Sequence, residues 1–286
     1  MTNRVSASAL FREKLAKATM MDDAFMTAVL DDNPEAVELI LRTVLDKQDL
    51  HVIKQSVQRK LSNLDGHTSI LDVFAKDDSG VFYNIEVQNA PSGATPQRAR
   101  YHSSLMDAHE LKEGMSYEDL PQSYVIFITR DDIMGKGRAI YRFDRAEADS
   151  GDLLCDGSHI VFVNGSYKNS DTSNDIDRLL ADMQTSEPDT MHYEQLARKA
   201  RRLKGEGGAI IMSQYWEDVY NDARKEGLAD GRAEGLAEGV AEGEIQGLSK
   251  AVRALIASTG MSAEEAFTTL DIPDSQREAL LESIEQ

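Results

Sequence analysis

Residues 68–88 read TSILDVFAKDDSGVFYNIEVQ, two runs of apolar and β-branched residues on either side of a short polar stretch. That combination predicts a β-hairpin whose loop is Asp78-Ser79-Gly80. With Gly80 in the left-handed position of a three-residue connection, residues facing each other across the strands carry numbers summing to 158, so Asp72 faces Glu86. Side chains alternate along a strand, which puts Gln88 on the same face as Asp72 and Glu86 and leaves Leu71, Val73, Ile85 and Val87 on the other. One face is therefore expected to rest on a core and the other to carry polar heads. Like charges directly opposed across a strand pair are destabilising, so these two carboxylates call for a neighbouring cation or for contact with water.

Working outward, MMDDAFMTAVL (residues 20–30) opens the first organised element. Asp32-Asn33-Pro34 then starts a helix that carries Val37, Leu39, Ile40, Leu41 and Val44. Beyond the hairpin a helix is expected from about Gln97 to Glu113, closed by Gly114, and PQSYVIFITR (121–130) reads as a fully buried strand. AIYRFDR (139–145) and SHIVFVNG (158–165) supply two more strands. The order implies an α/β fold with a mixed sheet over residues 20–175, preceded by a peripheral segment, 1–19, and followed by a helical extension, 176–225.

Residues 226–250 hold a four-residue repeat with glycine at 227, 231, 235, 239, 243 and 247. Each interior glycine costs a helix about 1 kcal/mol relative to alanine, so an isolated helix here would be marginal. Leu228, Leu236 and Val240 share the period, which points to a partner helix from a second copy of the chain and hence to a homo-oligomer. A solvated linker is the alternative, because Gly, Ala and Glu suit one equally. Residues 251–286 read as a helical hairpin, with a Ser262–Glu265 capping box and a turn at Pro273.

Composition narrows the function classes. With 286 residues, 41% apolar and 6% aromatic, the chain suits a globular protein. Apolar runs such as Tyr124–Ile128 fall far short of the roughly 20 residues of a membrane helix, and the N-terminus lacks the pattern of a signal peptide, so a cytoplasmic protein is expected. Cys155, the single cysteine, suits a reducing compartment. The net charge of −19 would repel nucleic acid if evenly spread, but basic residues gather at Arg98 and Arg100, between Arg130 and Arg145, and in ARKARRLKG (197–205).

Two carboxylates facing one another, with backbone carbonyls beside them, suit a hard divalent cation such as Mg²⁺. Such a site suits phosphodiester hydrolysis, because the ion can bind a phosphate oxygen and acidify water. Gln88 could orient the water or the phosphate, without bringing charge.

Asp72, thirteen intervening residues and Glu86-Val87-Gln88 resemble the PD-(D/E)XK nuclease signature in its Glu-x-Gln variant. The wider stretch from ILDVFAKDDSGVFYNIEVQNAP through RARYHSSLMDAHELKEGMSYEDLPQSYVIFITRDD resembles the PD-(D/E)XK nuclease family transposases, also termed recombination-promoting nucleases. The likeness runs over roughly residues 20–230, including DDAFMTAVLDD, GGAIIMSQYWEDVYNDARKEG and the glycine repeat.

The resemblance implies a restriction-endonuclease-like αβββαβ core and Mg²⁺- or Mn²⁺-dependent DNA cleavage, in mobile elements, recombination or phage defence. It implies Asp72, Glu86 and the Val87 backbone carbonyl as metal ligands, Asp22 or Asp23 as a further acid, and Gln88 in the place of the usual lysine. Leu71 stands where a proline commonly precedes the aspartate. Arg98, Arg100 and Tyr101, opening the helix after the hairpin, are candidates for contacting nucleic acid. The rival expectation is a nuclease-derived scaffold with weakened chemistry that binds DNA or a protein partner.

Overall fold

The computed structural model describes residues 11–61, 69–89, 93–168, 174–205 and 207–285. Residues 11–17 belong to helix α1. Helices α2 (Asp23–Leu30) and α3 (Pro34–Leu45) follow, then strands β1 (Val52–Leu61), β2 (Ser69–Asp77) and β3 (Phe82–Gln88). Helix α4 (Pro96–Glu110) leads to β4 (Ser123–Thr129), β5 (Ile140–Phe143) and β6 (Ser158–Asn164), and α5 (Asp175–Gln184) and α6 (Glu194–Lys204) complete the α/β region. The strands form one mixed sheet in the order β1-β2-β3-β4-β6-β5. Pairing is parallel between β3 and β4 and between β4 and β6, and antiparallel elsewhere.

The hairpin follows from its turn. Val73, Phe74, Ala75 and Lys76 pair with Ile85, Asn84, Tyr83 and Phe82, the register set by a 78–80 loop. Gly80 has φ 86°, a conformation that glycine adopts without steric cost, and its N–H donates to the Asp77 carbonyl at 3.1 Å. β1 had no counterpart among the expected elements. Its sequence, VIKQSVQRKL, is polar for a strand, and its backbone is distorted at Gln58 (φ 51°), between the pairs Val57–Val73 and Arg59–Leu71.

A parallel β3–β4 pair needs a crossover, and α4 provides it, so the polar face of the hairpin is covered by a helix. Of the two expected ways to relieve the paired carboxylates, a cation or contact with water, burial removes most of the second. Val73, Ala75, Tyr83, Ile85, Val87, Ile126 and Ile128 face a core shared with α2, α3, α5 and α6. Leu71, Phe74, Val125, Phe127 and Phe162 face a second core with Ala99, Leu105 and Met106 of α4, so Leu71, expected beside Val73, packs in the other cluster, beyond the end of the regular β2–β3 ladder. α4 begins where Thr95 Oγ1 accepts the Arg98 N–H at 3.1 Å. It ends at Glu110 and not Glu113, because Leu111 leaves the helical conformation and Met115 N–H closes a separate turn onto the Lys112 carbonyl.

Contacts divide the chain into two compact units, Met1–Val219 and Tyr220–Gln286. Helix α7 (Gly208–Thr259) spans the division, and the glycine repeat is helical along its length. The side chains of Leu228, Leu236 and Val240, expected to meet a partner helix, lie outside the described residues. Beyond α7 come α8 (Ala263–Thr269), with the expected Ser262–Glu265 capping box, and α9 (Asp274–Glu285). Val252, Ala266, Phe267, Ile272 and Leu280 form the buried core of the second unit, in which α8 and α9, joined through Pro273 as the sequence suggested, pack with the end of α7. Among the described residues no helix is long and apolar enough to cross a membrane.

Candidate active site

The backbone ladder between β2 and β3 reaches Val73–Ile85 and stops one pair short of Asp72 and Glu86. There two side chain to backbone bonds take over. The Asp72 N–H donates to Glu86 Oε1 at 3.2 Å, and the Val87 N–H donates to Asp72 Oδ2 at 3.1 Å. Each acid is thereby fixed by the opposite strand, and both carboxylates are held on one hairpin. Glu86 is fully buried and Asp72 is 8% exposed.

Buried polar groups are normally satisfied, which makes the two oxygens of Glu86 informative. Oε1 accepts from Asp72 N and from Asn84 Nδ2 at 2.9 Å, and His102 Nδ1 lies 3.5 Å away. Oε2 is buried without a hydrogen-bond partner, and Arg98 Nη2 lies 3.8 Å from it. Asn84 Nδ2 also lies 3.2 Å from His102 Nδ1, and Arg98 Nε points at His102 Nε2 from 3.5 Å. Asn84, His102 and Arg98 thus form a continuous polar strip from β3 to α4 that immobilises one oxygen of Glu86 and leaves the other open.

Burial pushes the Asp72 carboxyl well above the usual carboxylate range, and the negative charges of Glu86 and Asp23 push it further. The Val87 amide and the Arg98 guanidinium only partly oppose them. The buried pair therefore favours a positive partner, a proton or a cation, over two bare charges.

Of the two candidate acids at the start of α2, Asp23 is the one that acts on Asp72. Asp22 is turned to Thr19, whose N–H donates to its Oδ2 at 2.8 Å. Gln88 is half-buried on the same strand, and a Cβ built on Gly93 would lie 2.0 Å from its Oε1, so the carboxamide occupies space that only glycine leaves free. The Gln88 carbonyl accepts from Arg130 N. Among the basic and aromatic candidates on α4, Arg98 reaches the acids, Arg100 is exposed, and Tyr101 packs on the second core.

Asn84 and His102 were not among the residues singled out in the sequence. Asn84 was within reach, since it lies two positions before Glu86 on the same face. His102 follows Arg98 by one helical turn, but nothing local indicates that this turn sits over β3.

Among the described residues no group of three or more His, Cys, Asp or Glu is arranged to hold a metal ion. Asp72 and Glu86 nevertheless suit a hard cation, being two oxygen donors with an orphaned lone pair and unrelieved repulsion.

A family model for the PD-(D/E)XK nuclease family transposases matches residues 29–199, which is 171 of the 286 residues. No curated protein and no solved structure gave a match. The match encloses both strands of the hairpin, α4 and the whole of the sheet, and the mixed α/β architecture agrees with a restriction-endonuclease-like fold. On that coverage the chain belongs to the PD-(D/E)XK nuclease family transposases.

Proposed function

We propose that this protein is a divalent-metal-dependent DNA endonuclease that hydrolyses phosphodiester bonds, of the transposase-associated, recombination-promoting type. The observation that carries the reading is the pairing of a buried, unpartnered Glu86 Oε2 with an Asp72 whose carboxyl is pushed up by burial and by its acidic neighbours. Asp72 and Glu86, with the Val87 carbonyl and Asp23 beside them, would hold Mg²⁺ or Mn²⁺. When bound, such an ion supplies positive charge to a phosphate oxygen and acidifies water.

The remaining work falls to the protein. Asn84 and His102 fix Glu86, so that little reorganisation accompanies binding of substrate. The Arg98 guanidinium, at the first turn of α4, is the cation best set to meet a phosphate. The Gln88 carboxamide orients the attacking water but has no basic site to take its proton. α4 and the second core keep bulk water from the acids.

The weakened-scaffold alternative draws on Arg98 as well. A guanidinium 3.8 Å from Glu86 Oε2 already offsets part of the charge that an ion would offset, and Gln88 contributes none. Incubation of plasmid with the protein and Mg²⁺ or Mn²⁺, against an EDTA control and Asp72→Ala, separates the two. Metal-dependent nicking by wild type alone is expected, and equal products from the variant would remove the assignment.

The proposal includes action in a reducing cytoplasmic compartment, in keeping with the single Cys155. It also includes self-association through residues 226–250, to be checked by light scattering on the full chain and on a chain ending before the repeat.

A further inference from the structure

Beside the acid pair, within the first unit, lies a cavity of about 380 Å³ lined by Lys14, Lys17, Asp22, Asp23, Asn89 and Trp216. It adjoins the hairpin site through two of these residues. Asp23 is one of the charges that acts on Asp72, and Asn89 directly follows Gln88. Apart from Asn89, the six lie outside the stretch matched by the family model, so this wall is built from the chain's own flanking segments.

Trp216 is the only tryptophan in the chain, and it is half-buried. Phe11 packs against it at 5.1 Å and 82°, which steadies the indole, while Lys14 Nζ stands 5.1 Å from the ring centroid. Lys14 is exposed, and Lys17 forms an exposed pair with Glu13. Such surface contacts are weak and readily exchanged. An aromatic ring over which one releasable cation lies, with a second lining the same cavity, matches an unpaired nucleotide once Lys14 swings aside to a phosphate, since the base has a π-face and its flanking phosphates are anions. Of the two acids in the wall, Asp22 accepts the Thr19 N–H, and Asp23 adds its charge to that acting on Asp72.

We propose that this cavity is a subsite for an unpaired nucleotide of the DNA strand next to the cleavage site, with a base on Trp216 and its flanking phosphates on Lys14 and Lys17. The choice of ligand rests on the nuclease reading, but binding is measurable without catalysis.

The single tryptophan makes the test direct. Full-length protein in EDTA at low salt is titrated with a short single-stranded oligodeoxynucleotide and with a blunt duplex of the same sequence, following indole fluorescence. Saturable quenching is expected, with the single strand binding at lower concentration than the duplex. The double variant Lys14→Ala/Lys17→Ala should raise the midpoint by roughly tenfold and flatten the salt dependence, each lost phosphate contact contributing about 0.7 to the log–log slope. Trp216→Leu should weaken binding in a mobility-shift assay, and if that variant fails to fold, the lysine variant still decides.

Absence of quenching, quenching indifferent to the lysine variant, or equal response to single strand and duplex would each overturn the subsite. Nicking without quenching removes the subsite and leaves the nuclease reading intact. Quenching without nicking keeps the subsite and removes the hydrolytic reading.

Discussion

The two ends of one hairpin hold buried carboxylates in opposite circumstances. At the loop end, Asp77 accepts the Val81 N–H on Oδ1 at 2.8 Å and the Tyr83 hydroxyl on Oδ2 at 2.6 Å. Burial and that bond to Asp77 push the Tyr83 hydroxyl above its ordinary range, so it stays a donor. Every bond there closes the turn. At the other end, Glu86 receives its donors on Oε1 while Oε2 has none, and Asp72 is repelled by two acids. A fully partnered buried carboxylate holds structure together, whereas one left half-partnered is a cost to the fold that a ligand can relieve.

That contrast can be broken most severely by exchanging the two ends. Glu86→Gln should lower cleavage by at least about a thousandfold, equivalent to about 4 kcal/mol of barrier, while Asp77→Asn leaves the rate near wild type. Plasmid nicking under identical metal concentrations reads both. Stability should reverse the ranking. Asp77→Ala is expected to cost about 3 kcal/mol in urea unfolding, because each buried partner left unpaired costs about 1–3 kcal/mol.

A smaller effect concerns pH. The folded-state pKa of Asp72 is raised, so the native state binds more protons than the unfolded state once pH exceeds the ordinary aspartate value. The metal-free protein therefore loses stability as pH rises from about 4 toward neutrality. Asp72→Asn removes that loss and should melt higher than wild type at pH 7 in EDTA, with the gap closing toward pH 4. A variant that melts lower at pH 7 would mean that the repulsion is already relieved. The mildest change is Gly93→Ala. Its methyl would meet only the flexible end of Gln88, so melting should stay within a few tenths of a kcal/mol while cleavage falls by roughly tenfold as the carboxamide is displaced. Unchanged cleavage would strip Gln88 of its role.

Several features were legible because they are local. The loop Asp78-Ser79-Gly80 demands a particular turn, and the turn sets the register as far as Val73 and Ile85. The buried strand β4 and the capping box at Ser262 were equally plain in local chemistry. β1 was not, since its Lys, Gln and Arg residues mask the pattern and its place is set by pairing with β2.

The amino-acid order by itself thus determined the hairpin, its register and the company of acids on it, because neighbouring residues decide turn type and side-chain alternation. Only the tertiary structure decided that this face is dry, that Asn84 and His102 gather on one oxygen of Glu86 with Arg98 nearer the other, and that Asp23 and not Asp22 adds to the charge on Asp72. Those outcomes depend on the crossover laying α4 over the sheet and on α2 packing beside it, contacts between residues far apart in the chain whose strength comes from excluding water.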